Sequence, residues 1–549
     1  MKKTRVFIAN DSSFIASGYG IYGREILNRL HNSGKYEVAE LGCYADCNRQ
    51  EIKNIPWKFY PNAVSTDDSR FESYKSNAMN QFGAWRFNRA ILDFKPDIVF
   101  DVRDYWMSSY QEFSPYRRHF HWVLMPTVDS APQKHEWYFT FANADVVVPY
   151  TRWAKNVLTA GGGHRLNIFP KIANAGINSD EFFPVPNKVE HKTKYFGRDV
   201  DVVGVVMRNQ KRKLIPDIMI AFKNYLNLIS NSEKYNNTYL YLHTSYPEEN
   251  GWDIPGLLLE HGLCDKTYFT YTCRNCKKYF PSKFNDALVQ CKHCGVQNSS
   301  CLASVANSVD TESLNEIYNL FDIFIQYAIC EGFGMPQVEA AACGIQIASV
   351  DYSAMSEIAE NLNGVKIPIK RSFRELETGA DRVYPDNEFT AAMLYKFFNE
   401  ISDETKNNNS KIIREKCLNT YTWDNVYKVW DECFDQLDPK DKVPWQTNQQ
   451  FLTKHESMSV PGDLSPRDFV EYICYEIINE PYLLGIASTQ MMIKDLQSKI
   501  VARAGSIKGF TFKEAVQMLE QHLNNKVVHE KMRLSEHALE KEDYLVCKQ

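Results

Sequence analysis

The feature that most constrains this chain is a series of short, continuously apolar runs, each followed by a helix-like stretch. "PDIVFDV" (96–102), "FHWVLMPTV" (120–128) and "ADVVVPY" (144–150) show no in–out alternation. Strands of that kind are apolar on both faces, as in parallel sheets covered by helices on each side. "RVFIAN" (5–10) opens the series, and "YGIYGREILNRLHNS" (19–33) sets Ile21, Ile26, Leu27 and Leu30 along one side of a helix. This alternation predicts a doubly wound α/β domain over residues 1–185.

The pattern then restarts. "DVDVVGVVM" (199–207), "TYLYLHTS" (238–245), "DIFIQYA" (322–328) and "IQIASV" (345–350) read as strands, with helices at "IPDIMIAFKNYLNLI" and "ESLNEIYNLF" between them. The spacing predicts a second α/β domain over 186–440, joined to the first near "FPVPNKVEHK" and facing it across a cleft. Ligands of open α/β sheets bind at the carboxyl ends of strands, so the chemistry is expected in that cleft. Asp101, Arg103, Asp104 and Asp129 stand at such ends. They read either as cleft residues shaping acceptor or sugar binding, or as ordinary polar loop residues. Beyond "DPKDKVPWQTNQQ", residues 441–549 read as a helical extension, with a helix start at Ser465-Pro466 and a capping box of Thr511 and Glu514.

Composition removes several function classes. With 63 Lys/Arg against 68 Asp/Glu the net charge is −5, so no global field draws a polyanion. The tail is not a basic arm either, holding twelve Lys/Arg and fourteen Asp/Glu between 445 and 549. The apolar part of "MKKTRVFIAND" is too short for a signal peptide, and no run approaches the ~20 residues of a membrane span. Fourteen cysteines, scattered apart from one tight group, suit a reducing compartment. The expectation is a soluble cytoplasmic protein without a membrane span; the oligomeric state is not legible.

The stretch "CEGFGMPQVEAAACG" (330–344) carries more chemistry than a helix start needs. It follows a strand and precedes a helix, so its backbone N–H groups sit at a helix N-terminus, a place for phosphate. Gly332 and Gly334 permit close approach, and Phe333 and Met335 complete the loop. Glu331 and Glu339 would be repelled by phosphate and suit sugar hydroxyls instead. On spacing alone, a plain strand–turn–helix with a solvated Glu331 stays open. Arg208 and Lys213 follow the strand at 199–207, where two cations suit a diphosphate. They equally suit a solvated basic loop with Lys211 and Arg212.

Taken in order, these segments resemble retaining glycosyltransferases of the GT-B fold, the group that includes sucrose synthase and bacterial mannosyltransferases. Arg208, Lys213, Ala221 and Phe222 resemble the donor-phosphate loop of that group. "EGFGMPQVE" is similar to its Glu-x7-Glu signature, and "IANAGINSDEFFP" (172–184) to its interdomain crossing. "SGYGIYGREIL" (17–27) resembles its glycine-rich first loop, with Gly18 and Gly20. "SAMSEI" (353–358) stands where the group has a glycine–glycine–glutamate turn, without the glycines. The likeness runs over roughly residues 5–435, apart from one insertion. It implies two tandem Rossmann-like domains and a nucleoside-diphosphate sugar as donor, with Arg208 and Lys213 neutralising the diphosphate. Glu331 would hold the sugar, Glu339 the ribose, and Gly18, Gly20 and Gly332–Met335 would line the donor. It further implies retention of configuration without a catalytic metal. Many members carry a histidine after the fourth strand of the first domain, where this chain offers Val128 and Asp129.

The insertion, over 268–300, holds Cys273, Cys276, Cys291 and Cys294 in a C-x2-C-x14-C-x2-C pattern. Two knuckles of two thiolates give closed tetrahedral coordination, so the expectation is a structural Zn2+ in a zinc ribbon, with a redox dithiol as the alternative. Arg274, Lys277, Lys278, Lys283 and Lys292 make it locally basic. The acceptor is not legible; one class weighed is a modified base in DNA, as in phage enzymes that glycosylate hydroxymethylated bases. Rival readings are a catalytically idle module for binding or assembly, and a sugar phosphorylase or epimerase on the same fold.

Overall fold

The computed structural model describes residues 3–440 apart from 115, 305 and 306, and the proposed helical extension, Ser465 and Thr511 included, lies outside them. Two sheets form, each at one of the apolar series. The first is six-stranded and parallel throughout, in the order β3-β2-β1-β4-β5-β6. Its strands are β1 (Thr4–Asp11), β2 (Tyr36–Cys43), β3 (Lys58–Pro61), β4 (Ile98–Arg103), β5 (His121–Pro126) and β6 (Val146–Val147). β4 is buried along its whole length, as the lack of alternation requires.

The second sheet has a parallel centre: β7 (Asp201–Val206), β8 (Thr238–His243), β9 (Thr267–Cys273), β12 (Ile323–Gln326), β13 (Gln346–Val350) and β14 (Val365–Ile367). Its order is β10-β9-β8-β7-β12-β13-β14. β9 outruns β8; antiparallel β10 (Tyr279–Lys283) pairs with it over Tyr268–Thr272, and antiparallel β11 (Ser300–Leu302) with its far end, Tyr271–Cys273. The cysteine insertion is therefore an outgrowth of the sheet edge. A separate antiparallel hairpin, β15 (Ile369–Arg374) with β16 (Asp381–Pro385), was not legible in the sequence. β15 is exposed at every position, so it carries no core-facing period to read.

Several ties hold the halves together. The Trp423–Asp435 helix follows the second sheet in sequence but packs on the Gly18–Asn32 helix of the first. There the fully buried Trp430 indole donates to the Tyr22 hydroxyl at 2.8 Å. Phe333 stacks on Tyr150 with ring centroids 5.2 Å apart. Glu357, in "SAMSEI", accepts the backbone N–H groups of Arg152 and Trp153 at 3.1 and 2.7 Å. A carboxylate there complements the positive end of the Arg152–Gly162 helix. One apolar core consequently runs through both sheets.

Candidate active site

The carboxyl ends of β1, β4 and β5 meet those of β7 and β12 across a polar seam. The Gly18–Asn32 helix begins at Ser17, whose Oγ accepts the Gly20 N–H at 3.0 Å and donates to Asp11 at 2.6 Å. The Gly20 amide is thus already engaged, and a Cβ there would lie 2.4 Å from the Ile15 carbonyl oxygen. Gly20 shapes the loop, while Gly18 faces the other half: a Cβ on it would come 3.9 Å from Met335 Sδ.

Opposite, β12 leads into Glu331 and the Met335–Ala342 helix. Gly334 has φ +91°, a backbone region open to glycine and strained for other residues. Gly332 is glycine for a different reason, since a Cβ would lie 2.3 Å from Thr127 Cγ2 of the first sheet's β5 loop. No side chain caps this helix, and Pro336 in its first turn has no N–H to leave unpaired. Gln337 N–H turns back to the Gly334 carbonyl at 3.1 Å, and the positive end of the helix dipole lies beside Gly332 and Gly334, the kind of end that binds anions.

Glu331 is 6% exposed and gathers cations from the loop after β7. Lys213 Nζ donates to its Oε1, Arg212 approaches its Oε2 at 3.1 Å, and Gln326 adds a hydrogen bond at 3.2 Å. Burial, with Arg212 alongside, pushes the Lys213 ammonium down from the usual lysine range. Arg208 is elsewhere: its guanidinium is largely exposed and pairs with Glu248 at 3.1 Å. The two cations that converge on Glu331 are Lys213 and Arg212, and adjacency to Lys211 hid Arg212 in what read as a solvated run.

Glu339 is buried in the Met335–Ala342 helix, its Oε2 accepting the Tyr318 hydroxyl at 2.6 Å. Burial raises its pKa to about 7, Tyr318 opposes the shift, and Glu181 adds to it. Glu181 belongs to the crossing segment "NSDEFFP", which therefore lies within electrostatic reach of Glu339. Phe333 is 3% exposed and spends its ring on Tyr150 and Tyr421, so its side chain joins the halves and only its backbone is left to line the donor.

The strand-end residues of the first sheet divide. Asp101 and Arg103 do not face the cleft, which corrects the expectation: both are 0% exposed. Asp101 accepts from Gln111 at 2.7 Å and from the Trp122 indole at 3.0 Å. Arg103 donates to Asn10, to the Phe82 carbonyl and to Cys43 Sγ. Asp129 does sit at the seam, 3.2 Å from Arg382 of β16. Sequence reasoning missed Tyr19, whose hydroxyl donates to Asp104 at 2.9 Å and lies 3.0 Å from Thr127 Oγ1. Burial, and the Asp129 charge, raise Asp104 to about 6, against the Tyr19 hydrogen bond. In the β5 loop Val128 is buried, and Thr127, like Asp129, meets the other half.

The four cysteines of the insertion converge, with all four Sγ atoms within 4.8 Å of one another. Cys273 and Cys294 are 3.8 Å apart, Cys276 and Cys291 3.7 Å. Four sulfurs at the usual Zn–S distance of about 2.3 Å would stand about 3.8 Å apart in a tetrahedron. Backbone N–H groups of Cys276, His293 and Cys294 donate to Cys273 and Cys291 Sγ at 3.3–3.5 Å. The donor set fits Zn2+. His293 bonds the Tyr279 carbonyl through Nε2, apart from the thiolates.

Residues 294–396 match the family model of the glycosyl transferases group 1. Among solved structures, sucrose-phosphate synthase from Thermosynechococcus elongatus superposes with a TM-score of 0.57 at 16% identity, covering 79% of this chain and 99% of that one. A glycosyltransferase from Rickettsia africae gives 0.54 at 13%, covering 80% and 99%. Anabaena HepE in complex with UDP and glucose gives 0.54 at 11%, covering 79% and 100%. The fold is GT-B, and the enzyme class is glycosyltransferase. No curated protein matches by sequence. Among the described residues, no helix is long and apolar enough to cross a membrane.

Proposed function

We propose that the chain is a retaining, metal-independent glycosyltransferase that moves a sugar from a nucleoside-diphosphate sugar to an acceptor hydroxyl. The observation that carries this reading is the convergence of Lys213 and Arg212 on Glu331 beside an uncapped helix N-terminus, facing Gly18 across the seam. Two cations and a helix dipole aimed at a departing diphosphate stabilise the charge that grows as the glycosidic bond breaks. In this arrangement Lys213 and Arg212 take the diphosphate, and the Gly332–Met335 backbone cradles phosphate and sugar. Arg208 stands at the rim, paired with Glu248. Glu331 orients sugar hydroxyls, and Glu339 accepts the ribose hydroxyls through the oxygen opposite Tyr318. Retention, and catalysis without a metal, rest on the resemblance to sucrose synthase and the mannosyltransferases, and a UDP-bound neighbour supports a nucleoside-diphosphate donor. The division into 1–185, 186–440, a 268–300 ribbon and 441–549 belongs to the same proposal.

Thermal shift and hydrolysis with UDP-, GDP-, ADP- and dTDP-sugars test it. One donor is expected to raise Tm and be consumed, with the anomeric configuration of the product kept. If none shifts Tm or is turned over, the chain is the idle binding module instead. We assign Zn2+ to Cys273, Cys276, Cys291 and Cys294, where it pins the edge of the second sheet. One zinc per chain by elemental analysis, lost in Cys291→Ser, is the expected result; a disulfide between these cysteines in the purified protein would refute it.

A further inference from the structure

A cavity of about 450 Å3 lies between the first sheet's loops and the β15–β16 hairpin. That is within the usual range for small-molecule sites. Tyr105, Lys134, His135 and Trp137 line one side, and Leu376 and Gly379 of the hairpin tip the other. None of these belongs to the proposed donor site. The cavity nonetheless adjoins it, because Tyr105 follows Asp104 directly and Asp104 holds Tyr19 beside Thr127.

The hairpin is strapped across the seam at its turn end, where Glu375, Asp381 and Arg382 flank the tip. Asp381 N–H donates to the Ala131 carbonyl at 2.8 Å, and Arg382 spans Asp129 at 3.2 Å and Glu375 at 2.7 Å. Tyr352 OH donates to the Asp381 carbonyl at 2.6 Å. Beyond these ties the tip carries Leu376, 93% exposed, over the cavity mouth. On the facing side, Tyr105 and Trp137 stack at 5.3 Å with their planes 26° apart. Lys134 Nζ lies 6.0 Å from the Trp137 ring and has no carboxylate partner among the described residues. A stacked aromatic pair offers a platform for a flat ring or the C–H face of a sugar, and an unneutralised cation beside it suits a phosphate.

We propose that this cavity is the acceptor subsite, and that its occupant is a phosphate-bearing ring compound. The ring lies on the Tyr105–Trp137 pair, the phosphate is held by Lys134 and His135, and the hairpin tip closes the open side. The assignment of acceptor rests on the glycosyltransferase reading, but the binding does not require a donor.

The test is isothermal titration of the full chain, without donor, using fructose 6-phosphate, glucose 6-phosphate and dCMP. Each is paired with its dephosphorylated counterpart. At least one phosphate is expected to bind with a Kd below about 1 mM. Removal of the phosphate, Lys134→Gln and Trp137→Ala should each weaken it at least tenfold. A sugar phosphate bound in preference to dCMP identifies a small sugar acceptor, and the reverse identifies a nucleotide. Variant folding is checked by Tm, and Lys134→Gln, half-exposed, serves if Trp137→Ala unfolds. No binding by any phosphate, or binding indifferent to Lys134→Gln, overturns the proposal. Neither result touches the donor reading, which the donor panel decides separately.

Discussion

Two charged clusters lie at strand ends on opposite sides of the seam, and in sequence they look alike. At the end of β4, Asp101 and Arg103 take all their partners from the first sheet's own loops and strands. Past the end of β12, Glu331 gathers Lys213 and Arg212 from the loop after β7, with the first sheet's Thr127 against its neighbour Gly332. Burying charge is costly in both. The first cluster is satisfied within one half, needing neither the other half nor a ligand, so its charges hold the fold. The second holds its cations with a carboxylate at a seam, where an incoming diphosphate can compete for them. Burial and charge together do not mark a site; the origin of the partners separates the two.

The largest effect expected from this contrast is on stability. Arg103→Met leaves Asp101 buried without its cation and should cost about 3–5 kcal/mol. Urea unfolding would show it, while the donor KM of the still-folded fraction stays unchanged. A stable variant with a raised donor KM would break the comparison, because Arg103 would then act at the cleft.

Lys213→Met should behave in the opposite way. Loss of one charge-stabilising donor costs about 10²–10³ in turnover, roughly 3–4 kcal/mol in the transition state. Stability should move little, since Arg212 remains on Glu331. Steady-state kinetics beside a melting curve would distinguish this from simple unfolding.

Much of this architecture was legible. Parallel strands buried on both faces leave continuous apolar runs, and β1, β4, β5, β7, β8, β12 and β13 were read from them. β3 and β14 are too short for a period, and the exposed β15 has none. For the candidate site, motif order named Lys213, Glu331 and Glu339, since spacing along a strand–loop–helix unit is local, and the fold brings the first two together. The partners were not legible, because Tyr318 on Glu339, Thr127 on Gly332 and Arg382 on Asp129 are contacts between distant segments. Asp101 and Arg103 show the converse: position at a strand end is local, whereas the loops that bury them are not.

Glu339 gives a pH-dependent version of the same contrast. Its carboxyl is pushed up to about 7 from 4.5, mainly by burial. A raised acid favours the fold while protonated, so that contribution is complete below about pH 4.5 and is lost as pH rises through 7. Glu339→Gln should therefore be more stable than the parent at pH 8, by on the order of 3 kcal/mol at most, and nearly equal at pH 5. Melting curves at the two pH values decide it. Equal differences at both would mean that Glu339 is ionised in the free protein.

The smallest effect separates two arginines. The resemblance points to Arg208, whereas the geometry places Arg212 on Glu331 and Arg208 on Glu248 at the rim. If the observed pairing is the one the donor meets, Arg212→Ala should lower kcat/KM by about tenfold, near 1.4 kcal/mol, and Arg208→Ala by less than about threefold. The inverse order would mean that Arg208 leaves Glu248 when donor binds. In that case Glu248→Gln should raise donor affinity by freeing Arg208 in advance, since a residue released from one partner binds the next without that cost. Measured together, the three variants show whether the cationic wall around Glu331 is built before the donor arrives or completed by it.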